Sequence, residues 1–244
     1  MIKTHTESFL IRSSQTDLTN HIRPSAILEI MQEMAGAHAE LLGVGRDMLL
    51  QHQLIWVLTR LEVRMDRYPA GGETITVETY PMPNRRWFCP RSFIFRDADG
   101  RQIGCAGSLW VLIDVHTRRM SRPDVIAGLM PDNHDLTAPI GLPATVEEVS
   151  ADADCAFRTP VYTDLDVNGH VNNTRYLDWC CNALGIETMH NNELAAFAIN
   201  FNQELLPGQQ ARTELRRNDR HFSFCGFMDQ PRCFDVGGTL RPRV

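Results

Sequence analysis

The chain of 244 residues is short of several features that assign a protein to a class on sight. No C-x-x-C pair occurs among its seven cysteines, which stand scattered at 89, 105, 155, 180, 181, 225 and 233. Neither a zinc ribbon nor a disulfide framework is suggested, and a reducing cytoplasm is the expected compartment. No apolar run approaches the roughly 20 residues that cross a bilayer, so no membrane span is expected. The opening stretch, MIKTHTESFLIRSSQ, has no apolar core followed by a small-residue cleavage site and does not read as a secretory signal. Basic residues are not in excess. Lys and Arg number 24 against 30 Asp and Glu, a net charge of -6, which argues against nucleic acid as a partner. What remains is ordinary globular composition, 43% hydrophobic and 22% charged, sufficient for a sizeable core.

The chain contains its own echo. TDLTNHIRPSAILEIMQEMAGAHAELLG begins at Thr16, and TDLDVNGHVNNTRYLDWCCNALG begins at Thr163. Each opens Thr-Asp-Leu, and each places an Asp four residues before a His: Asp17 and His21, then Asp166 and His170. Both run into a helical pattern that stops at a glycine, Gly43 or Gly185. In the first, Ile27, Ile30, Met31, Met34, His38, Leu41 and Leu42 share one face, and Pro24 suits the first turn. In the second, Leu177, Cys180, Cys181 and Leu184 form a shorter stripe, with Asn172 or Asn173 available as cap. Strand-like segments with period-two alternation follow each helix, and Asp97 to Gly100 reads as a hairpin turn. Aligning Pro69 with Pro207 sets Asp66 against Glu204. Residues 128–152 are rich in turn formers and read as a connector. The expected class is α+β, two copies of a long helix wrapped by an antiparallel sheet.

Several stretches, in order, resemble the acyl-ACP thioesterases: MQEMAGAHAELLG, LIWVLTRLEV, YPAGGETITVETYP, GSLWVLIDVHTRRMSRP and DLDVNGHVNNTRYLDW. The likeness extends from about residue 5 to residue 210, and the last two runs together are quite specific. It implies two tandem hotdog domains, residues 1–140 and 155–244, joined by a linker at 141–154. It further implies that the first copy holds the acyl chain while the second carries the chemistry, which is hydrolysis of a fatty acyl thioester on acyl carrier protein. No cofactor is implied, since the phosphopantetheine arrives on the carrier. Carried over residue by residue, the family's functional positions fall on Asp166, Asn168, His170 and Glu204. Plant members have a Cys directly after that Glu; here it is Leu205, so a Cys–His scheme at that position is closed to this chain.

Thioester hydrolysis needs a positioned water, a base, and donors for the developing oxyanion. Glu204 with His170 is expected to activate the water, with Asp166 fixing the turn and Asn168 orienting water or carbonyl. The first helical amides after His170 are the expected oxyanion donors. Each residue also has a purely local role open to it, since Asx side chains are common in turns and a histidine can be structural. Arg85, Arg86 and Arg91 in one stretch and Arg118, Arg119 and Arg122 in another are either solvated charge or a dock for the acidic carrier or its pantetheine phosphate. Trp87, Phe88 and Phe93 read as core more readily than as tunnel lining. The competing functions are an acyl-CoA thioesterase, an enoyl-thioester hydratase and a non-catalytic acyl-thioester binder. DVNGH lacks the Pro and the extra residue of the hydratase motif. Monomer and homodimer both stay open, because one chain already contains a hotdog pair.

Overall fold

The computed structural model describes residues 2–243. The first half contributes β1 (His5–Leu10), α1 (Pro24–Leu41), α2 (Arg46–Gln51), β2 (Leu54–Met65), β3 (Thr74–Pro81), β4 (Phe88–Arg96), β5 (Gln102–Asp114) and the short β6 (Met120–Ser121). The second contributes β7 (Ala153–Arg158), α3 (Arg175–Leu184), α4 (Ile186–Asn191), β8 (Asn192–Phe201), β9 (Ala211–Asn218), β10 (His221–Phe227) and β11 (Arg232–Pro242). The strands form one antiparallel sheet in the order β1-β3-β4-β5-β2-β8-β11-β10-β9-β7, with β6 hanging on β5. Outward from the central β2–β8 pair, both sides have the same order. This is the tandem hotdog arrangement that the repeat requires. Among the described residues no helix is long and apolar enough to cross a membrane.

Local sequence accounts for the elements. Pro24 occupies the first turn of α1, and Gly43, at φ 71°, follows its end. Ile27, Ile30, Met31, Met34, His38 and Leu42 are buried as the periodicity predicts, but Leu41 is 54% exposed, off the edge of the stripe. Leu177, Cys180 and Leu184 of α3 are buried and Cys181 half-buried. This helix starts later than expected. Asn172 does not cap it directly; its Oδ1 accepts the Thr174 amide at 3.0 Å and the Thr174 hydroxyl at 2.9 Å, forming a turn ahead of Arg175. At the expected hairpin, Asp97 donates its amide to Arg101 and Gly100 takes φ 79°.

Both helices rest on the same face of the sheet, and Arg175 of α3 reaches Glu29 of α1 at 3.7 Å. Between helices and sheet lie Phe93, Phe95, Phe197, Phe222, Phe224 and Phe234, all fully buried. Phe93 is therefore core. The Tyr176 ring sits 4.5 Å from that of Phe234, centroid to centroid. Irregular chain runs up to Asp152, and β7 begins at Ala153, two residues before the expected start of the second domain. The connector is strapped down: Ala144 donates to Glu62, Val146 to Asn200 and Val149 to Ser223.

Gly238 of β11 permits the close approach of β8. A Cβ there would lie 2.3 Å from the Ala196 carbonyl oxygen and 3.0 Å from the Phe197 Cα, both backbone atoms that cannot swing away. Gly238→Ala is expected to destabilise the fold by about 1–3 kcal/mol, read from the urea midpoint at unchanged slope.

Candidate active site

The stretch ahead of α3 folds back on itself. The Asp166 amide donates to the His170 carbonyl at 2.8 Å, and the Gly169 amide donates to the Asp166 carbonyl at 3.0 Å. Asp166 Oδ1 accepts the amides of Asn168 (2.8 Å) and His170 (3.2 Å) from inside the turn. Gly169 supplies the left-handed step, φ 77°. The Val171 amide then donates to the Leu205 carbonyl at 3.1 Å, stitching the turn to the chain leaving β8. That bond brings Glu204 beside the imidazole, with Oε1 3.5 Å from His170 Nδ1. Asn168 Nδ2 lies 3.4 Å from Asp166 Oδ2. All four expected site residues thus gather at one place.

Sequence reasoning placed Arg118 only on a docking surface. Its Nη2 donates to Glu204 Oε2 at 2.5 Å, and this contact raises the guanidinium's proton affinity above its ordinary value. Arg118 sits at φ 57° in the turn leaving β5, where Asp114 Oδ1 accepts the amides of His116 and Thr117 and the Thr117 hydroxyl. An Asp-x-x-Thr turn ahead of the arginines was the available signal.

The oxyanion donors differ from expectation. The amides of His170, Val171, Asn172, Thr174 and Arg175 are all engaged, by Asp166, Leu205, Asp164 and, for the last two, Asn172. Four residues of turn separate His170 from the helix, so the helix N-terminus does not open beside it. The donors that remain near His170 are the side-chain amide of Asn168 and the main-chain amide of Asn173, while its own Nε2 is left free as an acceptor. All three residues line the cavity described next.

A cavity of about 850 Å³ opens at this cluster. Asp166, Asn168, His170, Glu204 and Arg118 line its polar part, while Ala35, Ala39, Leu49, Leu58 and Trp110 line its apolar part in the first half of the chain. Cys89 also lines it, but burial pushes its thiol up to about 12, which leaves no thiolate at neutral pH. Among the described residues, no three His, Cys, Asp or Glu side chains are grouped to hold a metal.

The first-half echo is built alike and ends differently. The Asp17 amide donates to the His21 carbonyl, and Asp17 Oδ1 accepts the amides of Thr19 and His21. Thr19 is therefore the counterpart of Asn168, and Asn20, at φ 60°, that of Gly169. The Ile22 amide donates to Pro69 as that of Val171 does to Leu205. Tyr68, not Asp66, consequently stands where Glu204 stands. The proline-based alignment is off by two because Pro207 lies farther into its loop than Pro69. Asp17 Oδ2 is taken by Arg243 at 2.7 Å, and Tyr68 is buried with its hydroxyl donating to the Leu194 carbonyl.

Of the other arginines, Arg85, Arg86, Arg119 and Arg122 are exposed. The Arg122 guanidinium stacks over Trp87, 5.4 Å from the ring centroid, which joins the two arginine-bearing stretches into one surface. Arg91 departs from the expected docking group: it points inward, 8% exposed, and lines the cavity.

Behind Arg91, its Nη1 donates to His38 Nδ1 at 3.1 Å, and His38 Nε2 faces the Ile2 carbonyl at 3.4 Å. Burial, aided by the Arg91 charge, pushes the His38 imidazole down to about 4. An unfolded histidine takes up its proton near 6.5, so between pH 6.5 and 4 the unfolded chain binds the extra proton and folding stability falls as pH falls. Exchanging His38 for Gln should flatten that slope in denaturation curves taken across the window.

Two family models match the chain: Acyl-ACP thioesterase N-terminal domain over residues 2–129 and Acyl-ACP thioesterase C-terminal domain over residues 148–229. The dodecanoyl-[acyl-carrier-protein] hydrolase of Cinnamomum camphora is 30% identical over 81% of this chain and 55% of its own length. The palmitoyl-acyl carrier protein thioesterase of Arabidopsis thaliana is 27% identical over 81% of this chain and 51% of its own. The chain thus spans about half the length of the curated relatives it matches. Among solved structures, an acyl-ACP thioesterase from Bacteroides thetaiotaomicron superposes with TM-score 0.87 at 24% identity, covering 98% of both chains. The 12:0-ACP thioesterase from Umbellularia californica gives 0.85 at 24% identity, again over 98% of both. Matched by both domain models across most of its length, the chain belongs to the acyl-ACP thioesterase family.

Proposed function

We propose that this chain hydrolyses the thioester of a fatty acyl chain on acyl carrier protein, releasing the free fatty acid and the carrier thiol, and so ends chain elongation. The observation that carries this is the placement of His170 and Glu204 at the polar part of a cavity whose apolar part belongs mostly to the other half of the chain. The family membership and the names of the relatives support the substrate class. Seven unpaired cysteines fit a reducing compartment.

Glu204 spends one oxygen on Arg118 and faces His170 Nδ1 with the other. The imidazole is then the group with a free proton-accepting edge, Nε2, while the carboxylate holds its ring and balances the charge it gains. Water adds to the acyl carbon as its proton passes to Nε2. The carbonyl oxygen becomes an oxyanion facing Asn168 and the Asn173 amide. Collapse breaks the C–S bond, and the thiolate takes the proton back from the imidazole. A thiol is acidic enough, at a reference pKa of about 8.5, to leave without a dedicated acid. Asp166 touches no substrate in this scheme; it sets the turn. The first copy, with Tyr68 in place of the carboxylate and Asp17 paired to Arg243, serves as the acyl-chain chamber.

Replacing His170 with Asn is expected to lower kcat by about 10²- to 10⁴-fold, the usual worth of a general base. Glu204→Gln should lose less, and Asp166→Asn should lose activity with a lower melting temperature. Wild-type turnover in the Glu204 and Asp166 variants together ends this mechanism.

The exposed Arg85, Arg86, Arg119 and Arg122 form the surface proposed to meet the acidic carrier. Charge reversal at Arg119 and Arg122 should raise KM for acyl carrier protein thioesters by about tenfold or more, steeply dependent on salt, and leave short acyl-pantetheine thioesters near their wild-type values. Equal effects on both substrates count against docking there. Arg118→Gln, by contrast, should lower kcat on both.

A further inference from the structure

The cavity that would receive the acyl chain is not apolar throughout. Arg91, from the middle of β4, is 8% exposed and forms part of its wall beside Pro81, Cys89 and Pro90, themselves buried. Its Nη1 is engaged by His38 Nδ1 at 3.1 Å and by the Thr79 hydroxyl at 3.2 Å. Both partners are neutral acceptors. Among the described residues no carboxylate lies within ion-pair distance of this guanidinium, and its hydrogen bonds to the protein are both made by Nη1. Among the described residues, the arginines that do pair with an acid lie nearer the surface, as with Arg243 and Asp17 or Arg118 and Glu204. A buried cation without a counter-charge is costly, and a methyl end seated against it leaves that cost in place while stripping any water from the remaining donors.

We propose that the wall at Arg91 is a subsite for an acyl chain bearing an acceptor oxygen toward its far end, either a carboxylate or a hydroxyl. The guanidinium offers two free donors in a fixed fork, the geometry that takes a carboxylate through two parallel bonds or a hydroxyl oxygen through one. Thr79 and His38 hold Nη1 from behind, so the fork is set before substrate arrives. The thioester end of the same chain lies at His170 and the oxygen-bearing end at Arg91, both on the wall of one cavity. The inference rests on the thioesterase reading for its substrate, and the wall itself does not depend on which residue activates water.

The test uses acyl carrier protein thioesters of one chain length ended by methyl, hydroxyl or carboxylate, with the wild-type chain, Arg91→Met and Arg91→Lys. The wild-type chain should hydrolyse at least one oxygen-ended thioester with a kcat/KM no more than about tenfold below the methyl-ended one. Arg91→Met should lower that oxygen-ended value by about 100-fold relative to the methyl-ended value, and Arg91→Lys should restore part of it. Arg91→Met removes an unpaired buried charge, so its melting temperature should hold. The carboxylate and hydroxyl arms tell which oxygen is taken. Wild-type rejection of both oxygen-ended chains by more than about 100-fold, or an equal effect of Arg91→Met on all three, overturns the subsite. Calorimetric binding of the matching non-hydrolysable amides reads the same preference without turnover. If those amides show it and no thioester is cleaved, the subsite stands and the hydrolase reading falls.

Discussion

The pairing of β2 with β8 is the constraint on which the rest depends. It runs from Arg60–Asn200 to Arg64–Ala196, antiparallel, in the centre of the sheet. Without it each half would expose a long central strand as an open edge. With it the two helices lie side by side on one face, and the turn before α3 opens onto space walled by the first half. A second half on its own would keep His170 and Glu204 but lose Arg118 and most of the cavity's apolar part. The cluster at the cavity is therefore a property of the seam rather than of either copy.

Much of this was legible in the sequence, because it depends on local pattern. The repeated Thr-Asp-Leu, the Asp four before the His, the helix faces and the Gly stops are short-range signals, and the structure places them as read except for Leu41, which is exposed. Asp166, Asn168, His170 and Glu204 came together as the resemblance implied. The failures have a common physical origin. Arg118 and Arg91 both sit in arginine-bearing stretches, and charge alone does not say which guanidinium folds outward. Arg91 follows Pro90 on a strand whose alternation is lost where both faces are covered, so no periodicity marks it as inward. Arg118 depends on a contact with a residue 86 positions away.

The expected oxyanion donors failed for a different reason. A helix start was read at the His because apolar residues resume soon afterwards, yet four residues of turn intervene before the helix. Asp166, Leu205, Asp164 and Asn172 take the amides there, that of Asn173 excepted. Polar side chains just ahead of a helix can thus delay its first turn by consuming the groups that an open N-terminus would present. The same logic explains the misaligned echo. Hydrogen bonds, not prolines, define equivalence, and by that measure a buried phenol occupies the place of the carboxylate.

The strapped connector between the halves has a consequence for symmetry. Two identical copies meeting along β2 and β8 would form a closed two-fold pair, in which every substitution appears twice and every contact has its image. Fusing the copies into one polypeptide, with the joining segment fastened to β2, β8 and β10, lifts that condition. Arg243 can neutralise Asp17 while, among the described residues, no arginine pairs with the equivalent Asp166, and a buried Tyr68 can stand in one half where Glu204 lines the cavity in the other. Tandem fusion is in this sense what permits the two turns to diverge, one keeping a carboxylate at the cavity and the other closed by its own ion pair.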